Sequence, residues 1–332
     1  MKILLMLLLV FTGVTGLAQT GIPHREKVLI AEAIRINQLY GEKVWPGMKD
    51  TCFAILLVTD DYEYLAYHPS PPAGYELLHD DSLLATPVYY RRAQMPKKFL
   101  ATLPYGGVKC IIVGTPENTG KTAVGWLTSL LHEHFHQFQT SQSDYFESID
   151  RLGLAGEDKT GGWMLNYPFP YAKEEVITAY EAYAESLKEI TLAEKKKDFR
   201  KLLPAYIKKR KAFRAALSQK EYAYFSFQIW QEGLASHTAY TLLTWLKKYK
   251  PSKQYIDLGL TESIQDYWQT EFGAHLNNLT AMKLPESKRV CFYAVGMMEG
   301  MILDRLNKKW RDYYFTDKFY IENYSPVLND DR

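Results

Sequence analysis

Five consecutive residues, His132-Glu133-His134-Phe135-His136, carry the strongest chemical signal in the chain and read H-E-x-x-H. On a helix, positions i and i+4 leave the same face one turn apart, so the imidazoles of His132 and His136 can reach a single metal ion. Glu133 lies about 100° round the helix from His132, placed to face a metal-activated water rather than to ligate. Two neutral imidazoles suit zinc, which in hydrolytic sites takes a third protein ligand and keeps an open position for a water whose pKa falls to about 7. The chemistry indicated is metal-assisted hydrolysis with Glu133 as the base. The competing reading is a pair of satisfied core histidines. It is disfavoured by context, because Val124, Leu127, Leu130, Leu131, Phe135 and Phe138 form a helical apolar stripe that leaves His132 and His136 beside its buried edge. His134 points elsewhere on this helix and is expected at the surface or around the ligands.

The elements that must position this pentapeptide belong to a chain of 332 residues, long enough for a substantial core. Charged residues make up 23% and the net charge is +2, so nothing in the overall balance calls for nucleic acid or an anionic membrane. Residues 1–18 combine Lys2, an apolar run from Ile3 to Phe11, and Gly16-Leu17-Ala18 before Gln19. This reads as a signal peptide cleaved after Ala18, hence an exported protein, periplasmic or secreted. The apolar run is short for an uncleaved membrane anchor, no cysteine follows to accept a lipid, and no later run reaches the roughly 18 apolar residues of a span. Three cysteines, Cys52, Cys110 and Cys291, do not make a disulfide scaffold, although one bridge is compatible with export. Cys52 and Cys110 sit in strand-like runs and are expected in the core.

The periodicity predicts an opening helix from His24 to Tyr40, stopped at Gly41, and strands over Cys52–Thr59, Glu63–His68, Pro87–Arg91 and Val108–Gly114. A small, mostly antiparallel sheet therefore precedes the H-E-x-x-H helix. Gly114 to Thr122 tempts a P-loop reading, but five residues separate its glycines where four are needed, and the segment is read as a loop capping that helix. After an aperiodic stretch from Gln139 to Gly162, expected to border the cleft, the chain becomes almost wholly helical: Glu174–Ile190, Leu192–Leu217 interrupted by Pro204, and Tyr222–Tyr249. Lysines and arginines from Lys195 to Lys211 alternate with apolar residues and read as a solvated helix face. The minority reading is a surface-binding factor without metal, acting through this stretch.

Gln139 and Gln142 stand where a metzincin would carry its glycine and third histidine, which excludes that class. Glu232, in Trp230-Gln231-Glu232-Gly233-Leu234-Ala235, is the candidate third ligand, with Gly233 and Ala235 small enough to let its helix approach the first closely. Glu181, Glu185 and His237 are rivals for that role. Through His132-Glu133-x-x-His136 and Glu232-Gly233-Leu234-Ala235 the chain resembles the gluzincin metallopeptidases, the thermolysin-like and aminopeptidase-like enzymes. The resemblance implies an α+β, zincin-like fold in one domain spanning 19–332, and a single zinc ion held by His132, His136 and Glu232 with Glu133 as base. It also implies a peptide or protein substrate, and a downstream Tyr or His that stabilises the oxyanion, here Tyr293 with His237 as the alternative. His136 and Glu232 are 96 positions apart, a longer spacing than in the best-known members, which a helical insertion over 173–220 accounts for. Arg289 is expected either to bind a substrate carboxylate or to pair with Asp304. The rival function for the same metal set is a non-proteolytic binding module outside the cytoplasm, in which Glu133 would have no hydrolytic role.

Overall fold

The computed structural model describes residues 21–329. The expected signal peptide, and with it the export reading, lies outside the described residues. An opening helix α1 (His24–Ile36) is followed by a sheet of six strands, β1 (Ile55–Val58), β2 (Tyr62–Ala66), β3 (Glu76–Asp81), β4 (Thr86–Arg92), β5 (Leu100–Tyr105) and β6 (Val108–Gly114). Their order is β3-β4-β2-β1-β6-β5. Only β1 and β6 pair in parallel, and the other four pairings are antiparallel, so the sheet is mixed. The helix carrying H-E-x-x-H, α2 (Ala123–Thr140), leads into a helical half built from α3 (Glu174–Leu192), α4 (Lys196–Ala215), α5 (Gln219–Gln228), α6 (Leu234–Trp245), α7 (Tyr267–Ala281) and α8 (Cys291–Leu306). The chain is thus α+β. Among the described residues no helix is long and apolar enough to cross a membrane.

Continuous apolar runs in β1 and β6 reflect burial on both faces of the sheet. Ile55, Leu57, Ile111 and Val113 join a core shared with the helices, whereas Leu56, Val58, Cys110 and Ile112 join a second small cluster capped by Tyr75, Met95, Phe99 and Tyr105. Residues from both halves of the chain lie in that first core, including Leu57, Leu131, Trp230 and Met297. Strands β3 and β5 lie outside the strands that the periodicity predicts, and both are edges of the sheet. Strand β3 breaks its alternation at a bulge between Leu77 and His79, and β5 carries Pro104, which is tolerated where no ladder hydrogen bond is required. The edge beside α2 is therefore β5, while Val108–Gly114 is paired on both sides.

Several boundaries differ from the periodicity for local reasons. Gly41 does not end the first helix. It sits in a π-helical turn (Asn37–Gly41), where an added Cβ would lie 2.3 Å from Asn37 Oδ1, so its glycine serves close approach. Pro204 lies inside α4 on an exposed face, and the chain breaks earlier, at Ala193–Lys195. Cys52 is exposed rather than core, and all three cysteines are free thiols. The long helix expected from Tyr222 to Tyr249 is divided by a second π-helical turn, Ile229–Gly233.

Helix α8 crosses this turn at two glycines. A Cβ on Gly233 would lie 2.4 Å from the Gly296 Cα, so neither position admits a side chain. Gly233 thus lets its segment approach α8, whereas the sequence suggested closeness to α2. The basic stretch on α4 is mostly solvated, but Arg210 turns inward to Glu299 at 3.2 Å and Glu322 at 3.0 Å, and Tyr222 donates to Glu322 at 2.7 Å. Removing Arg210 would leave the buried Glu299 without a cation and Glu322 with only the half-exposed Arg214, at 3.8 Å. Arg210→Ala is expected to cost about 3–5 kcal/mol in chemical denaturation, while Lys209→Ala on the exposed side should stay within about 0.5 kcal/mol.

Candidate metal centre

Helix α2 is placed before its histidines are. Thr122 caps it by accepting from Gly125 N at 3.1 Å, and the Trp126 indole donates to the last carbonyl of β6, Gly114 O, at 2.8 Å. The loop over Gly114–Thr122 therefore caps the helix, as the sequence indicated. Two glutamines then fasten the helix further along. Gln137 Nε2 donates to Ala54 O and Lys109 O in and beside the sheet, at 2.8 and 2.9 Å. Gln139 Nε2 donates to Trp230 O and Gln231 O of the second π-helical turn, at 3.2 and 3.1 Å.

Those ties bring Glu232 against α2. Its Oε2 lies 3.2 Å from His136 Nε2 and 3.4 Å from His132 Nε2, and the two Nε2 atoms are 3.1 Å apart. Ligand atoms of His132, Glu133 and His136 all fall within 4.8 Å of one another, so this group could hold a metal ion. A π-helical turn inserts one residue into an α-helix and redirects the helix beyond it, and such turns recur at functional sites. Here the insertion carries Glu232 itself.

The amide of Gln139 sets the imidazole tautomer of His136. Because Nε2 of Gln139 is committed to backbone carbonyls, its Oε1 faces His136 Nδ1 at 2.6 Å and must accept from it. The Nδ1 proton leaves the Nε2 lone pair directed at the site, the arrangement a metal-ligating histidine needs. Gln231 also approaches His136 Nδ1, at 3.3 Å, but its amide is oriented only by the Tyr145 hydroxyl, which can donate or accept. The shorter, locked contact governs. His132 Nδ1 lies 3.5 Å from Ser236 Oγ, and its ring stacks on Tyr293 with centroids 6.0 Å apart and planes 6° off parallel.

Charge in the site is balanced by position. Burial acts to lower the His136 pKa, but the Glu232 carboxylate overrides it and pushes the value up to about 9. Burial likewise acts to raise Glu232, while the two imidazoles hold it well below the usual carboxylate range. With no cation bound, the pair therefore keeps a proton at neutral pH. Burial, reinforced by the Glu232 charge, holds the Tyr293 phenol well above its ordinary range, so it remains an O–H donor. Arg289 Nη1 donates to the Tyr293 oxygen at 3.1 Å, so the phenolic proton is directed away from Arg289, on the side where the Glu232 carboxylate lies. Glu133 Oε2 accepts from Thr102 Oγ1 of β5 at 2.9 Å, and that hydroxyl also reaches Glu133 O at 2.8 Å.

A cleft of 1030 Å³ runs past these groups, lined by β5 on one side and by Glu133, His136, Glu232, Arg289 and Tyr293 on the other. The segment from Gln139 to Gly162 supplies another wall, through Phe146, Asp150 and Lys159 among others. The structure thus gathers His132, Glu133, His136, Glu232 and Tyr293 in one place. It does not gather the rivals. Glu181 pairs with Lys283 at the surface at 2.9 Å, Glu185 is exposed, and His237 is buried with its Nε2 on Asp304 Oδ2 at 2.9 Å. Asp304 is further engaged by Trp310 and Arg311, so Arg289 does not pair with it. His134 is fully buried rather than superficial: it stacks on Phe53 at 4.3 Å, Nδ1 meets Gln137 Oε1 at 2.8 Å, and burial lowers its pKa to about 4. Thr102, Gln139 and Gln231 were missed by sequence reasoning. The repeated His-x-x-Gln spacing, His134 to Gln137 and His136 to Gln139, was the available signal. No protein-family profile, curated protein or solved structure matches the chain.

The geometry makes two outcomes measurable. Metal uptake must displace the proton held by the His136–Glu232 pair. Apparent affinity in chelator competition should therefore rise about tenfold per pH unit from pH 6 towards the His136 value of about 9; a flat profile would contradict the coupling. Gln139→Met, which frees the tautomer of His136, should weaken metal binding by about 10- to 100-fold in the same assay.

Proposed function

We propose that the protein is an exported zinc-dependent peptidase with a zincin-like arrangement of sheet, metal-site helix and third-ligand helix. The observation that carries this reading is the triangle of His132 Nε2, His136 Nε2 and Glu232 Oε2, with edges of 3.1, 3.2 and 3.4 Å. Ligand atoms about 2.0–2.1 Å from a tetrahedral zinc are separated by about 3.3 Å, so the donor set fits that ion. Nitrogen and carboxylate donors in a two-histidine, one-glutamate set are also the ligands of a hydrolytic rather than a structural zinc site. His132, His136 and Glu232 would hold the ion. Once bound, zinc would supply a Lewis acid for the scissile carbonyl and lower the pKa of the attacking water.

The chain's own groups account for the proton transfers. Glu133, not engaged by either imidazole and held by Thr102, accepts the proton of the attacking water. As the carbonyl oxygen gains charge, the Tyr293 O–H donates to it, its orientation fixed by Arg289 and by the stack on His132. Glu133 then returns the proton to the departing amine. The outward edge of β5 borders the cleft and can take an extended peptide by backbone pairing. This edge requirement favours a peptide over a compact small molecule as substrate.

Elemental mass spectrometry on the purified mature chain should find one zinc in the wild type, and loss or marked weakening in His136→Ala and Glu232→Ala. Glu133→Gln should keep its zinc and lose peptide hydrolysis by about 10²- to 10⁴-fold; full activity in that variant would remove the base assignment. Tyr293→Phe should lower kcat by about 10²- to 10³-fold with KM little changed. A wild type that neither contains nor takes up zinc would overturn the reading as a whole.

A further inference from the structure

Four arginines with little exposure differ in one respect. Arg91, Arg210 and Arg311 each have a carboxylate oxygen at 2.5, 3.0 and 2.6 Å respectively. Arg289 has none closer than Glu232 Oε1, at 3.8 Å. That carboxylate is already turned through Oε2 to the two imidazoles. The only hydrogen bond of the Arg289 guanidinium among the described residues is the one from Nη1 to Tyr293, so Nε and Nη2 are uncommitted. Its other polar surroundings are the phenols of Tyr171 and Tyr224, which burial holds above their ordinary range and hence neutral. The side chain is 22% exposed and lines the cleft. A guanidinium is a rigid fork suited to binding a carboxylate with two parallel hydrogen bonds, and one in a cleft that hydrogen-bonds no carboxylate of its own is ready for one brought by a ligand.

We propose that Arg289 receives the free carboxylate of the substrate, so that the preferred substrates are peptides with an unblocked carboxy terminus close beyond the bond that is broken. This rests on the peptidase reading above. The distance sets how close. Arg289 Nη1 stands 3.8 Å from Glu232 Oε1 and 3.1 Å from the Tyr293 oxygen, so a carboxylate received there lies beside the reacting groups. The cleft also offers apolar contact. Leu103, Phe146 and Leu165 all line it and are exposed, which gives apolar surface for the rest of the peptide.

The test compares N-mercaptoacetyl-phenylalanine with its carboxamide, two thiols that differ only in the charge at the carboxy end, as ligands of the zinc-loaded full chain by calorimetry. The free acid should bind wild type about 10- to 100-fold more tightly than the amide, the range expected for a charge-assisted hydrogen-bonded pair. In Arg289→Gln the acid should fall to the affinity of the amide while the amide holds its own, and Arg289→Lys should recover part of the difference. Equal affinities in wild type would overturn the proposal, a comparison that needs no variant to fold. Equal losses for acid and amide in Arg289→Gln would also overturn it, because Arg289 would then act only by orienting Tyr293. Discrimination between the thiols in a protein that hydrolyses neither acetyl-tripeptide acids nor their amides would reject the peptidase reading and leave the carboxylate receptor standing.

Discussion

A buried negative charge governs the architecture around the cleft. The Glu232 carboxylate is largely withdrawn from water, with 17% of its side chain exposed to the cleft, and must be compensated nearby, since an isolated buried carboxylate would neutralise instead. Compensation comes from His132 and His136, which must therefore be presented within hydrogen-bonding distance by a different helix. That requirement fixes the separation of α2 from the second π-helical turn and explains why Gln139 commits its amide to two carbonyls of that turn. It also explains the bare contact on the far side, where Gly233 meets Gly296 and α8 presses the turn forward. The same packing delivers Tyr293 and Arg289, since both lie at the start of α8 or just before it.

The H-E-x-x-H helix was legible because two independent signals agreed, a ligand spacing and an apolar stripe of the same period. Glu232 was legible as a residue but not in its mounting. A π-helical turn has no sequence signature, and the apolar pattern on either side of Ile229–Gly233 reads as one helix. The pairing of β1 with β6, parallel within an otherwise antiparallel sheet, was equally hidden, since both strands are buried on two faces and show no alternation. Edge strands β3 and β5 escaped because exposure dilutes their apolar content and Pro104 argues against a strand. His134 was misjudged for a different reason: a histidine on the back of a ligand helix is polar by type, yet stacking on Phe53 and bonding to Gln137 make it a core residue. Gly41 looked like a stop signal, and the structure uses it for proximity to Asn37.

Ion pairs inside the helical half link separate elements: the buried Arg210 joins α4 to α8 and to the C-terminal segment, and the partly exposed Asp304 joins α8 to His237 of α6 and to Arg311. Such networks pin helices in one arrangement more than they add net stability. At the cleft, Arg289 keeps spare hydrogen-bonding capacity within reach of a ligand.

Gln137 and Gln139 bear on how freely α2 can turn about its own axis. Two residues apart on a helix, they leave it about 200° apart, one reaching the sheet and the other the π-helical turn. Forces applied to nearly opposite sides of a cylinder resist torque as well as translation. The helix is therefore fixed in azimuth, and the bearing of its two ligand imidazoles is held without any contribution from the ion they bind. A site indexed in this way meets its ion with the donors already aimed, so little of the binding free energy is diverted to ordering the protein.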